Sequence, residues 1–323
     1  MKPIHIDTSS DALIVHTGAL GDVICALTAI ECLFSNKKLD FCCQSHIAPL
    51  LQIVPIIQNV FDINSSMITS IFLPTCLPDV KDWLMNYPYV FLISFSADWE
   101  RYFKKYNRNT VRISPRPPVS EIVHTSQYIK DALQTNPLIK TNNPGIQDFV
   151  LQKNTRSYTM SSEIMWKSVC MHPGSGSPFK NWSIESFILL SQRLHQKGRS
   201  VLWLMGPAED ALINNLLENN VNCNDIVRTN KIQTMMQYLR QSDRFVGNDS
   251  GISHLAAYIG IDTTVIFGPT DIRRWRPIGA CVKTIPESLP VCSPCFENGI
   301  RQCSHKKCLN DISVSQVINI IEK

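Results

Sequence analysis

The residues of this 323-residue chain whose types and spacing could do chemistry fall into two groups. The first lies in the run from Phe245 to Gly260, where a short apolar strand enters a Gly-Asn-Asp-Ser-Gly turn that opens a helix of small residues. Asp249 or Ser250 suits the N-cap, because either side-chain oxygen can accept from a first-turn N–H. The first-turn donors left over, with the positive end of the helix dipole, make an anion site around Gly251. His254 follows Ser250 by four residues, so it shares that helical face and leans back toward the N-terminus. Turn, dipole and imidazole then converge on one point, which suits a diphosphate. An ordinary capped helix with a satisfied histidine is the plainer alternative.

The second group is Cys292, Cys295, Cys303 and Cys308, a C-x2-C-x7-C-x4-C pattern with His305 inside it. Four thiolates within seventeen residues can close a tetrahedral site. We expect a structural zinc or iron ion there, with disulfides or unligated thiols as alternatives. A four-thiolate site has no open coordination position, so such a metal would hold structure and do no chemistry.

Both groups need a scaffold, and the chain alternates strand-like and helix-like segments throughout. In the first half, residues 11–16 read as a strand, 17–22 as a glycine-containing turn, and 23–34 as a helix with apolar Val23, Leu27, Ile30 and Phe34. Further strands are expected at 39–43, 59–63, 89–95 and 110–113, and a helix at 126–134. Residues 115–118 break the chain at prolines, and 136–162, rich in Asn, Thr, Gln, Pro and Ser, read as a linker. The second half restarts the pattern, with strands at 168–172, 200–205, 225–227 and 244–246 and another from Thr263 into Gly268-Pro-Thr270. Helices are expected up to Gln196, with Ser183 as cap, and at 232–241, and helix 313–322 closes the chain. The fold class is therefore α/β, with two Rossmann-like domains, residues 1–160 and 161–323, and a ligand cleft between them.

Four loops follow strands directly, where open α/β sheets bind ligands. They carry Asp22; the Gly-Ser-Gly-Ser turn with Ser175, Gly176 and then Lys180; Glu209; and Asp249 to His254. Lys180 is a mobile point charge suited to a phosphate, and Glu209 can accept from a ribose diol. Each is weak alone, since surface charges are ordinarily solvated and Asp22 can simply cap the helix that follows it. Trp182, Trp203 and Trp275 invite a stacking role, although core packing is the plainer account of the first two. Arg273, Arg274 and Arg276 form a basic loop that faces either an anionic ligand or solvent.

Bulk properties narrow the class. A net charge of +4 favours anionic substrates or a membrane surface and does not call for nucleic acid. No apolar run reaches the length of a membrane span, and residues 1–10 lack the pattern of a secretory signal. Twelve cysteines in such a chain are expected as mostly reduced thiols, which points to the cytoplasm.

His16-Thr-Gly-Ala-Leu-Gly-Asp-Val23, the run from Met171 to Trp182, and Gly247 to Ala257 with Phe267-Gly-Pro-Thr-Asp271 together resemble the bacterial ADP-heptose heptosyltransferases, glycosyltransferase family 9. The resemblance implies a GT-B fold, with the acceptor on the N-terminal domain and the nucleotide-sugar on the C-terminal one. It implies inverting transfer of a heptose from ADP-heptose, onto lipopolysaccharide core or, as in the subgroup that glycosylates autotransporters and binds iron through four cysteines, onto a protein. Asp22 matches the family's catalytic aspartate. Ser175, Gly176 and Lys180 match its diphosphate loop, Glu209 its ribose contact, and Asp249, Ser250, Gly251 and His254 the turn and helix around the diphosphate. No catalytic metal is expected, since nothing resembles an Asp-x-Asp motif and helix N–H groups with a lysine can neutralise departing ADP. The expected location is cytoplasmic, with peripheral contact at the inner face of the membrane. A non-catalytic nucleotide- or glycan-binding protein on the same fold is the rival reading.

Overall fold

A computed structural model of the protein describes residues 10–135, 145–146, 168–288, 290–300 and 303–322. The chain divides into two compact units, residues 1–117 with 125–146, and residues 118–124 with 147–323. The boundary expected at residue 160 and most of the expected linker lie outside the described residues.

The first unit holds a parallel sheet of β1 (Ala12–His16), β2 (Leu39–Cys43), β3 (Ile57–Asp62), β4 (Val90–Ile93) and β5 (Thr110–Ile113), in the order β3-β2-β1-β4-β5. Every residue of β1, β2 and β4 is buried, as strands covered on both faces require, and all but His16 and Asp40 are apolar, Asp40 accepting from Ser10, Asn59 and Tyr87. The helix after β1 spans Leu20–Leu33 and starts a turn earlier than the apolar rhythm predicts. Its first turn, from Leu20 to Asp22, is only half-buried, so periodicity reported just the turns that face the core.

The second unit contains β6 (Ser168–His172), β7 (Ser200–Met205), β8 (Ile226–Arg228), β9 (Arg244–Asn248), β10 (Asp262–Ile266) and β11 (Val282–Ile285). They are parallel in the order β11-β10-β9-β6-β7-β8. The chain winds outward from β6 to β8, then returns to β9 on the other side of β6. Between β6 and β9 the winding direction switches, and open α/β sheets bind ligands in the crevice beyond the strand ends at that point. β11 is not among the expected strands, because its four residues lie at the sheet edge and its two middle ones are only half-buried.

Helix Ile184–Gln196 has the expected cap, with Ser186 N–H donating to Ser183 Oγ at 3.1 Å. The last helix, Val314–Ile321, opens with a Ser313–Gln316 capping box and buries Val314, Val317, Ile318 and Ile321. Those side chains join the same core as Leu190 and Leu194, and Arg193 donates across to Ser315 Oγ at 2.9 Å. Among the described residues no helix is long and apolar enough to cross a membrane.

Ile318→Ala should remove about 2–5 kcal/mol of stability through the cavity it leaves. Urea unfolding checks this, and an unshifted midpoint would show that the closing helix contributes nothing to the core.

Candidate functional site

In the first unit, Asp22 stands in the first turn of its helix and does not cap it; Ala19 is the N-cap, with no side-chain bond. A carboxylate there faces the positive end of the helix dipole. The turn before it is packed tightly. A Cβ on Gly18 would lie 2.6 Å from His16 Cε1 and 2.9 Å from Asp22 Cβ, so only glycine fits between them. Gly18 N–H donates to His16 Nδ1 at 2.9 Å, which leaves the ring proton on Nε2. His16 is fully buried, and desolvation pushes its pKa down to about 3, so the ring is neutral. Thr17 Oγ1 donates to Ser94 Oγ at 3.3 Å, which ties the loop after β1 to the loop after β4.

In the second unit, the loops after β6 and β9 meet at the switch point. Ser250 is the N-cap of helix Gly251–Tyr258, with Ser253 N–H donating to its Oγ at 3.3 Å. Asp249 is buried, and its Oδ2 accepts from Lys180 Nζ at 3.1 Å and from Thr270 Oγ1 at 2.8 Å. Lys180 Nζ also donates to the Asp249 carbonyl at 2.8 Å. Asn248 crosses the same gap: its Nδ2 donates to Pro173 O at 2.6 Å, and its Oδ1 accepts from Trp182 N–H at 2.9 Å. His254 is buried behind these groups. Desolvation pushes its pKa down to about 4, the charges of His124 and Lys180 push the same way, and Asp249 opposes them.

The remaining predicted residues have more local roles. Ser175 Oγ lies 2.8 Å from Ser177 O and 2.6 Å from Asn181 Oδ1, so its hydroxyl shapes the glycine-serine turn. Gly176 faces open space, leaving its backbone approachable by a ligand. Glu209 is buried; Oε2 accepts from Gly206 N–H at 2.7 Å, and Oε1 is pressed against Gly174, whose Cβ would overlap it. Trp182 and Trp203 are core residues, and the Trp182 indole donates to Ile312 O at 3.1 Å.

The basic loop is engaged internally. Arg273 pairs with Asp271, and Arg276 donates to Val282 O. Buried Arg274 donates from one nitrogen to the carbonyls of Pro118 at 2.8 Å, Val119 at 3.2 Å and Glu121 at 2.8 Å. The same strap brings His124 Nε2 to 2.7 Å from Arg276 O. His124 was missed from sequence, while Asn248 and Thr270 stood only as members of motifs and Arg274 only as part of the basic loop. Their roles depend on contacts between distant segments, which no motif shows.

All four clustered cysteines are free thiols, and Cys308 feels the other three electrostatically. Burial and those neighbours push its pKa up to about 11. The donor set suits zinc or iron. Among the described residues, however, no three His, Cys, Asp or Glu side chains are grouped closely enough to hold a metal ion.

The family model for "Glycosyltransferase family 9 (heptosyltransferase)" matches residues 124–308, more than half of the chain. Lipooligosaccharide heptosyltransferase 2 of Campylobacter jejuni is 27% identical over 164 residues, 49% of this chain and 51% of that protein. The chain thus spans about half the length of the curated relatives it matches. Among solved structures, Escherichia coli heptosyltransferase WaaC with ADP aligns with a TM-score of 0.68 at 15% identity, over 96% of this chain and 98% of that one. The iron-containing dodecameric glycosyltransferase TibC of enterotoxigenic E. coli aligns with a TM-score of 0.61 at 15% identity, over 97% of this chain and 75% of that one. At these identities the likeness concerns the fold, two parallel α/β sheets of the GT-B kind.

The buried neutral histidines set an acid limit on stability. The unfolded chain protonates each near 6.5, whereas the fold keeps His16 neutral down to about 3 and His254 down to about 4. Over that window the unfolded state binds more protons, so stability is full above about pH 6.5 and falls as the pH drops. The expected slope is about 1.4 kcal/mol per pH unit for each histidine. Urea titrations between about pH 7 and pH 4.5 read it out, and a flat profile would mean that these rings are hydrated.

Proposed function

The chain belongs to glycosyltransferase family 9, and we propose that it transfers a heptose from ADP-heptose to a lipo-oligosaccharide core, inverting the anomeric carbon. In this reading the first unit takes the acceptor and the second takes the donor. The observation that carries it is the switch point of the second sheet, where a capped helix N-terminus, Lys180 and buried His254 stand together. Such a place suits a diphosphate.

The chemistry follows from the two half-sites. The Asp22 carboxylate takes the proton of the acceptor hydroxyl as that oxygen attacks the anomeric carbon on the face opposite ADP. The bond from that carbon to the β-phosphate oxygen breaks, and ADP leaves with the electron pair. Lys180 and the N–H groups of the first turn at Gly251 meet the charge that develops on ADP, so no divalent cation is required. The backbone at Gly176 completes the phosphate loop, with Ser175 holding its shape. Glu209 would accept from the ribose once the glycine-serine turn packed against it shifts to admit the donor. Because Lys180 already pairs with Asp249, bound diphosphate would share or replace that carboxylate. The setting we propose is the cytoplasm, at the inner face of the membrane, where a mildly basic protein meets an anionic acceptor surface.

A protein acceptor is the second reading, favoured by the four-cysteine segment alongside the fold-level likeness to an iron-containing glycosyltransferase. In either case Cys292, Cys295, Cys303 and Cys308 would hold one structural zinc or iron ion. The metal would supply a cross-link in a segment that contains few large apolar residues.

Asp22→Asn should lower turnover about 10²–10⁴-fold while ADP binding is retained. ADP release from ADP-heptose in the presence of a deacylated core acceptor measures it, and turnover near that of the parent would remove Asp22 from the base role. No ADP release by the parent protein with any core or protein acceptor would favour a binding protein instead. Elemental analysis of protein purified without chelator should find about one zinc or iron per chain. Metal-free, fully folded protein with four rapidly reacting thiols would end the metal assignment.

A further inference from the structure

The cysteine segment is fastened to the donor-side loops by residues other than its cysteines. Ser293 Oγ donates to Gly268 O at 2.9 Å, and Phe296 N–H donates to Pro269 O at 3.0 Å. Glu297 Oε1 accepts from the Trp275 indole at 2.6 Å and from Asp271 N–H at 3.4 Å. The loop they grip supplies Thr270, which donates to Asp249. On the other side of Asp249 stands Lys180, and its Nζ lies 5.8 Å from the centre of the Phe296 ring. That ring is itself stacked on Phe179, the residue before Lys180, with centroids 6.3 Å apart and planes 20° from parallel.

We propose that Phe296 is a positioning residue for Lys180, and that through it the cysteine segment sets the affinity of the second unit for a nucleoside diphosphate. The proposal rests on the reading that Lys180 meets the donor diphosphate. Its physical basis is the difference between the two neighbours of the ammonium. Asp249 is a full negative charge that competes with the diphosphate for Lys180. An aromatic face attracts a cation through its quadrupole without neutralising it. Lysine has a long flexible stem, and ordering it on arrival of a ligand costs conformational entropy. With its side chain only 15% exposed and flanked by the ring, Lys180 is held near its working place before the ligand comes. Its contact with Asp249 can then be exchanged while its contact with Phe296 persists. Phe179 and the bond to Pro269 O keep the ring from following the lysine. Cys295 precedes Phe296 directly, so whatever state orders that cysteine also orders the ring.

Calorimetric titration of the full chain with ADP tests this, using F296L, K180M and their combination, with thermal midpoint and metal content recorded for each. F296L keeps apolar bulk against Phe179 and removes the ring face. It should weaken ADP binding about three- to ten-fold. In the K180M background it should have almost no further effect, because the two residues act through one contact. F296W, which keeps a ring face, should bind ADP as the parent does. C295S should weaken ADP binding in the parent and not in F296L.

Parent-like ADP affinity in F296L, or losses in F296L and K180M that simply multiply, would overturn the positioning role. An equal effect of C295S in both backgrounds would overturn the link to the cysteine segment. If K180M itself binds ADP normally, the diphosphate reading fails, a result distinct from failure of Phe296 alone. Should F296L not fold, F296Y against F296M decides the same question, with ring-dependent affinity expected and equal affinity overturning it.

Discussion

The arrangement of the second unit depends on one buried ion pair, Lys180 with Asp249, whose side chains are 15% and 7% exposed. Such a pair is weak support for stability, because desolvating two charges offsets most of their attraction. What it does is fix geometry. It joins the loop after β6 to the loop after β9 across the point where the sheet reverses its winding, and Asn248 makes a neutral version of the same bridge. Remove either charge and the other loses its ionic partner in a nearly dry place, while the Asn248 bridge and the Thr270 bond to Asp249 remain. The crevice that parallel topology offers at any switch point is bounded here by these two bridges.

In the first unit, neutral contacts shape the turn before Asp22. His16 accepts from Gly18, Thr17 reaches Ser94, and the imidazole is kept neutral by burial. An imidazolium at that place would add a positive charge beside the Asp22 turn. A neutral ring shapes that turn without adding one. The glycine between them follows from the same crowding, since a Cβ at residue 18 would collide with both.

Much of the fold was legible in the sequence because buried parallel strands are apolar runs and helix starts carry their own caps. β2, β5, β6 and β7 fall where the pattern places them, as do the caps Ser183 and Ser250. β11 escaped because an edge strand with two half-buried residues has no such run. At the candidate site, loop position after a strand singled out Lys180, Asp249 and His254, which the fold places near one another, but not what each residue touches. Ser175 looks like a phosphate ligand by motif, yet its hydroxyl is engaged with Asn181, a contact that no spacing rule announces. Thr270 and Phe296 gain their roles only from the tertiary approach of segments far apart in the chain. The cysteine spacing offered four thiols as a possible donor set and could not give their separation.

The basic loop shows most clearly how distant segments are brought to one place. Three arginines in four residues left an anionic ligand and solvent both open as what the loop faces, but Arg274 is buried and holds the backbone of residues 118–121 through three carbonyls. Its Nε lies 3.7 Å from Glu297 Oε1, and burial raises the pKa of that carboxyl while Trp275, the Asp271 N–H and Arg274 counter it. A strap that precedes the second sheet, the loop after β10 and the cysteine segment therefore meet at a single arginine–glutamate contact. Burying such a pair gains little stability over apolar packing. Its value is that a guanidinium offers several donors in a fixed plane, so it can hold a backbone on one side and a carboxylate on the other. Leucines would bury as much area but impose no register among three strands of chain. Polar contacts set the order of these loops because they fix position, which apolar packing alone does not.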